Sequence, residues 1–203
     1  MAVENSLAFV LASQDFIEVK EAADVHVDLR YAGVNNFAGI NFYGAFNRAF
    51  LHKITGEKFA RARQILAREC PGYKFIIYDA LRPRSIQRVL WNQVAGTVGE
   101  KYFANPDVGS LHSFGFAVDL SLLDPSGREL DMGAGFDDFR ELSWPKSEQK
   151  FLSEGLLTQK QIDNRMILRR TMESAGFIQL PNEWWHYDAL PKTEVRTKYQ
   201  IVE

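Results

Sequence analysis

The residues best equipped for chemistry lie in two stretches. One runs Ser110-Leu111-His112-Ser113-Phe114-Gly115-Phe116-Ala117-Val118-Asp119, the other Glu183-Trp184-Trp185-His186. Two imidazoles and one carboxylate, His112, Asp119 and His186, make a sensible catalytic zinc set. Zinc sites that do chemistry use three protein ligands and leave a fourth position to water. Glu183 then stays free to take the proton from that water as general base. Cys70 is the only cysteine, so an internal disulfide and a thiolate-rich zinc site are excluded, and any metal must be held by His and carboxylates. Cys70 itself reads as a small packing residue at a helix end.

Arg82 is the next candidate. In Tyr78-Asp79-Ala80-Leu81-Arg82-Pro83 it follows a short apolar strand, a position from which a fixed positive charge can reach a cleft and stabilise an oxyanion. Asp79 could orient the guanidinium. Each of these residues also has a plainer reading. An Asp in a strand is often a hydrogen-bonded carboxylate, and an Arg-Pro after a strand is often half of a structural ion pair. Two adjacent tryptophans usually pack core and rim. His26 and His52 read as packed or surface histidines.

The elements that must position these groups come next. Seven residues separate His112 from Asp119, too many to span one site along a straight strand at roughly 3.3 Å per residue. Gly115 lets the chain bend so that a loop folds His112 back over Asp119. Glu183 and His186 are three apart, so an extended segment would put them on opposite faces unless it twists. The patterns predict strands near Val25–Leu29, over Tyr73–Tyr78, over Phe114–Leu122 and over Glu183–Asp188. They predict helices over Arg48–Arg68 with Asn47 as N-cap, over Ser85–Ala95, and over most of Ser147–Ala175 ending at Gly176. Tyr31–Gly44 reads as a long loop and Asp124–Gly127 as a turn. Strands and helices mix without regular βαβ alternation, so the expected class is α+β. The expectation is a single domain over residues 1–203, with a central, mostly antiparallel sheet flanked by helices and the zinc site at the sheet edge.

The bulk numbers restrict the function. The 203 residues, 46% hydrophobic and 25% charged, suit one globular domain. A net charge of -2 without a long basic run argues against nucleic acid as a partner. No stretch reaches the roughly 18 apolar residues of a membrane helix, so no membrane partner is expected. Leu7–Ala12 is apolar but lacks the cationic start of an export signal. The expected location is therefore the cytoplasm, or the periplasm if a signal has been removed. Nothing in the sequence sets an oligomeric state.

The pattern S-x-H-x-x-G-x-A-x-D (Ser110 to Asp119) followed by E-x-W-H (Glu183 to His186) resembles the zinc D-Ala-D-Ala dipeptidases of the VanX type, within a wider group of zinc D,D-carboxypeptidases and cell-wall endopeptidases. Val27-Asp28-Leu29-Arg30-Tyr31-Ala32, Asp79 with Arg82-Pro83, and Met132-Gly133 followed by Phe136-Asp137 agree too. The resemblance implies one zinc ion per chain held by His112, Asp119 and His186, with Glu183 as base and Arg82 stabilising the transition state. It implies a small dipeptide substrate, its ammonium held by Asp137 and its pocket lined by Ser110. Tyr43 is a further candidate contact. Ala80-Leu81 stand where the family often has Gly-Tyr, and Leu111, Phe114 and Phe116 are more apolar than expected around the first histidine. The alternatives are a zinc D,D-carboxypeptidase or endopeptidase acting on longer muropeptides, and a metal-binding module without turnover.

Overall fold

The computed structural model describes residues 2–44, 46–97 and 99–203. Among them, the elements in chain order are α1 (Ala2–Ala12), β1 (Phe16–Val19), β2 (Val25–Val27), β3 (Ala49–His52), α2 (Lys53–Glu69), β4 (Lys74–Asp79), α3 (Arg84–Val94), β5 (Ala117–Leu123), α4 (Glu148–Ser153), α5 (Gln159–Ser174), β6 (Ile178–Gln179), β7 (His186–Asp188) and α6 (Lys192–Lys198). Five strands form one sheet in the order β2-β4-β5-β7-β6, and β1 pairs with β3 in a separate ribbon. Within the main sheet only β2 and β4 run parallel, and the other neighbours are antiparallel. This is an α+β arrangement, as the mixed sequence pattern requires. No described helix is long and apolar enough to cross a membrane.

The centre of the sheet is covered on both faces. All seven residues of β5 are buried, so the alternation of Val118, Leu120 and Leu122 with Asp119 and Ser121 separates two interior faces rather than core from water. Leu120 and Leu122 stand opposite Ile77 and Phe75 on β4. On that side Phe59 of α2 packs on Phe75 with ring centroids 5.2 Å apart. Truncating a buried Phe of this kind to Ala costs about 3–5 kcal/mol.

The structure redraws three of the expected elements. Residues 49–52 form strand β3, not the first turn of a helix. All four are buried, and they pair with β1, Phe16 opposite His52. Their apolar spacing fits either element over so short a run, and the partner strand decides it. The helix begins at Lys53, with His52 rather than Asn47 at its N-cap, the Nδ1 of His52 accepting from the Ile54 N–H at 3.3 Å. The long helix expected over residues 147–175 is broken into α4 and α5. Gly155 takes φ +70°, and Thr158 starts α5 with a reciprocal capping box to Gln161. The strand over Phe114–Leu122 starts only at Ala117, because Leu111–Phe114 wind into a 3-10 turn. The donors of the candidate metal set also lie on or beside the middle strands, at one end of the sheet, and not on a lateral edge strand. An interior strand is walled in on both faces and fixes a side chain more firmly than an edge strand does.

Candidate active site

Gly115 does what the spacing of His112 and Asp119 demands. It adopts the left-handed conformation, φ +75°, directly after the 3-10 turn, where a side chain is strained. A Cβ there would come within 2.7 Å of the His52 backbone nitrogen. The turn is pinned at both ends. The Ser110 hydroxyl accepts from the His112 N–H at 3.4 Å, and the His112 carbonyl accepts from the Arg82 N–H at 3.1 Å. The apolar neighbours of His112 are packing residues. Phe116 is fully buried and stacks on His52, centroids 4.3 Å apart. His52 is thus a core histidine, while His26 sits outside, paired with Glu21 at 2.8 Å.

Asp119 and His186 meet because β5 and β7 pair in register, each directly opposite the other. Glu183 lies in the turn before β7. That turn supplies the twist an extended segment lacks and leaves Glu183 Oε2 3.7 Å from His186 Nδ1. The three candidate donor atoms form a nearly equilateral triangle. His112 Nε2 is 3.3 Å from Asp119 Oδ1, Asp119 Oδ1 is 2.9 Å from His186 Nδ1, and the two nitrogens are 3.2 Å apart. A tetrahedral ion with bonds of about 2.0–2.1 Å needs donors about 3.3 Å apart.

The protonation pattern fits a cation as well. His112 Nδ1 lies 2.7 Å from the Ala80 carbonyl, which can only accept, so this nitrogen carries the hydrogen and Nε2 presents a lone pair. His186 Nε2 lies 2.8 Å from Asp188 Oδ1, which leaves its Nδ1 lone pair facing inward. Asp119 Oδ1 is buried without a hydrogen bond. Three donor atoms converge on one point, where a metal ion would satisfy all of them. Burial opposes ionisation of Asp119, but the flanking His112 and His186 hold its carboxyl well below the usual carboxylate range. Burial works against charging His186 too, yet Asp188 and Asp119 outweigh it and raise the imidazole to about 10 without an ion.

Around this triangle lies a cavity of about 400 Å³, walled by Tyr31, Arg82, Ser110, Asp137, Glu183 and Trp185 among others. That is the lower part of the range for small-molecule sites. Burial pushes the Glu183 carboxyl up to about 7, His186 and His112 pulling the other way. A group so poised both takes and returns a proton near neutrality.

Arg82 reaches the cavity from the β4–α3 junction. Its Nε is 3.3 Å from Asp79 Oδ2, and its guanidinium lies 5.1 Å from the centre of the Tyr31 ring. Asp79 is aimed by a bulge. The register of β4 against β5 shifts between Ile77 and Asp79, which brings Asp79 opposite Asp119. Bulges beside active sites commonly re-aim a side chain in this way. Burial raises the Asp79 carboxyl pKa, and Arg82 and His112 oppose that rise.

Asp137 sits at φ +59°, the one described non-glycine residue in the left-handed region. It accepts from the Tyr31 hydroxyl at 2.9 Å. Its loop is held from beneath by α5. The buried Arg165 donates to the carbonyls of Met132 at 2.7 Å and Leu142 at 3.0 Å, and Asn164 donates to that of Asp131 at 2.8 Å. Burial raises the Asp137 carboxyl to about 8 against the pull of the Tyr31 bond.

Of the residues singled out in the sequence, Arg82, Ser110, His112, Asp119, Asp137, Glu183 and His186 line the cavity, while Asp79 and Tyr43 do not. Tyr43 is buried behind the wall, where its hydroxyl donates to Asp79. It braces the Arg82 partner and is not part of the cavity wall. Tyr31 holds the wall position instead. Tyr31 and Asp188 were not assigned from the sequence. A signal for Asp188 exists in the alternation His186-x-Asp188, which puts both side chains on one face of a strand.

Comparison with known proteins agrees with this geometry. The description of a family named D-ala-D-ala dipeptidase matches residues 12–202. A D-alanyl-D-alanine dipeptidase of Escherichia coli (strain K12) is 36% identical over 167 residues, covering 81% of this chain and 79% of that protein. One of Enterococcus faecium is 30% identical over 181 residues, covering 80% of this chain and 85% of the relative, and one of Synechocystis is 28% identical over 161 residues, covering 64% and 65%. With a match over nearly its whole length and the donor triangle formed, this chain belongs to the D-ala-D-ala dipeptidase family.

Proposed function

We propose that the chain is a zinc-dependent D,D-dipeptidase that hydrolyses D-alanyl-D-alanine, one zinc ion per chain being held by His112, Asp119 and His186. The donor triangle is the observation that carries this reading. When bound, the ion supplies Lewis acidity, and it lowers the pKa of a coordinated water from about 16 to about 7. The remaining roles fall to the chain itself. Glu183, near the triangle and poised around neutrality, accepts the proton of the attacking water and passes it to the leaving amine. Arg82, held protonated by buried Asp79 despite its own burial, donates to the oxygen on which negative charge develops.

A dipeptide carries two opposite charges a short distance apart, and the cavity offers a partner for each. Asp137, braced by Tyr31, takes the ammonium. The Ser110 hydroxyl takes the terminal carboxylate, near Arg196, which lines the same cavity and donates to the adjacent Gly109 carbonyl at 2.8 Å. Charge-assisted hydrogen bonds at both ends select a substrate of one length.

The test is direct. The purified protein is stripped of metal, reloaded with zinc, and offered D-Ala-D-Ala, L-Ala-L-Ala and a muropeptide ending in D-Ala-D-Ala. Zinc-dependent release of D-alanine from the D,D-dipeptide alone is expected. Release from the muropeptide instead would favour a carboxypeptidase, and no hydrolysis with any metal would end the enzymatic reading.

A further inference from the structure

We infer that Asp188 is a positioning residue of the metal centre, which fixes the orientation and donor strength of His186 and so sets how tightly the centre holds its ion. The inference rests on the metal-site reading above and concerns a residue outside the donor set.

His186 and Asp188 are two apart on β7, so both side chains leave the same face of the sheet. Across the ladder they stand opposite Asp119 and Ala117. The Ala117 methyl leaves room beside β5, and Asp188, itself buried, turns its carboxylate to the far side of the His186 ring. Asp188 Oδ1 lies 2.8 Å from Nε2, while Nδ1 lies 2.9 Å from Asp119 Oδ1. The ring is therefore held from both nitrogens, and only the tautomer with hydrogen on Nε2 can present Nδ1 to an ion.

The two histidines are not equivalent. The outer nitrogen of His112 hydrogen-bonds a neutral carbonyl, that of Ala80, with the Asp79 carboxylate farther off at 3.6 Å, whereas the outer nitrogen of His186 is held directly by a carboxylate at 2.8 Å. A charge-assisted hydrogen bond is roughly twice as strong as a neutral one, and a carboxylate behind a ligating imidazole raises its basicity. His186 is on this account the stronger imidazole donor, and Asp188 supplies the difference. Asp188 cannot itself reach the ion, because the imidazole stands between them.

The experiment measures zinc affinity of the metal-stripped protein by competition with a chromogenic chelator, for wild type, Asp188→Ala, Asp188→Asn and His186→Ala. It is paired with the visible spectrum of the cobalt-loaded forms and with thermal unfolding without metal. Loss of such a partner typically weakens metal binding about 10–100-fold, and that is the result expected for Asp188→Ala. Asp188→Asn keeps an acceptor without the charge. Its affinity should fall between the two, with a shifted cobalt spectrum. A purely structural Asp188 would lower the unfolding temperature and leave zinc affinity and spectrum unchanged, which overturns the inference. Should Asp188→Ala not fold, the isosteric Asp188→Asn decides alone, and affinity within twofold of wild type is then the overturning result. If wild type and His186→Ala bind zinc equally, the metal-site reading fails, which is a different outcome from failure of the Asp188 role.

Discussion

Asp119 Oδ1 and His186 Nδ1 lie 2.9 Å apart on directly opposed positions of β5 and β7. On the proposed function an ion would take the place of the proton that His186 holds against this buried carboxylate, and its binding is expected to stabilise the fold. Zinc at 1,000 times its Kd stabilises a native state by about 4 kcal/mol. Stripping zinc should therefore lower the unfolding temperature of the wild type, and Asp119→Asn should erase most of that difference. Calorimetric scans with and without zinc check it.

Glu183→Gln keeps the shape and the hydrogen-bonding reach of the side chain but cannot accept a proton. Zinc content should stay at one per chain while kcat falls about 100–10,000-fold. Metal analysis on the same preparation separates a lost base from a lost ion.

On the proposed function Arg82 acts on charge that develops during reaction, so Arg82→Lys should lower kcat about 100–1,000-fold with a smaller change in KM. Arg82→Ala has a second effect, because it strands the buried Asp79. Breaking such a pair costs about 3–5 kcal/mol. Asp79→Asn added to Arg82→Ala should recover stability but not activity, a contrast that denaturant titration and steady-state kinetics can read.

Asp137 couples stability to pH. Its carboxyl is raised to about 8 in the native state, against about 3.9 in an unfolded chain. Between those values the native protein holds a proton that the unfolded chain has released, so this group makes stability fall as pH rises from about 4 to about 8, and adds no slope outside that window. Asp137→Asn removes the slope. The variant should gain on wild type across the window, by roughly 2–4 kcal/mol at pH 8 once solvent reaching this half-buried group is allowed for. Its kcat/KM should drop about 10–100-fold through loss of the ammonium partner. Unfolding curves at a series of pH values test the first statement, and a variant that merely tracks wild type would sink it.

Gly115→Ala probes the bend. The left-handed backbone costs a side chain roughly 1–2 kcal/mol, and the new methyl would press on the His52 backbone at 2.7 Å. The expected loss is about 2–4 kcal/mol of stability, with weaker zinc binding because His112 is carried by the same turn.

The candidate donor set was legible in the sequence because the chemistry needs side chains of particular types, and only four histidines were present to supply them. Gly115 was legible for a related reason: seven residues cannot close on one ion without a bend, and glycine permits it. Strands over Lys74–Asp79 and around Val118–Leu122 followed from apolar runs too short for helices. Other features depend on partners far away in the chain. Residues 49–52 became a strand because β1 lies beside them, and short-range periodicity carries no record of a partner thirty or more residues away. The bulge that turns Asp79 toward Arg82 exists only in the pairing of β4 with β5. Tyr43 and Tyr31 are both aromatic neighbours of Arg82 in the folded chain, and composition cannot tell which one faces the cavity. Residue types set which chemistry was available; the register of β5 against β7 decided that Asp119 and His186 face each other, with Asp188 on the same side of β7, because a single-residue slip would send those side chains to opposite faces.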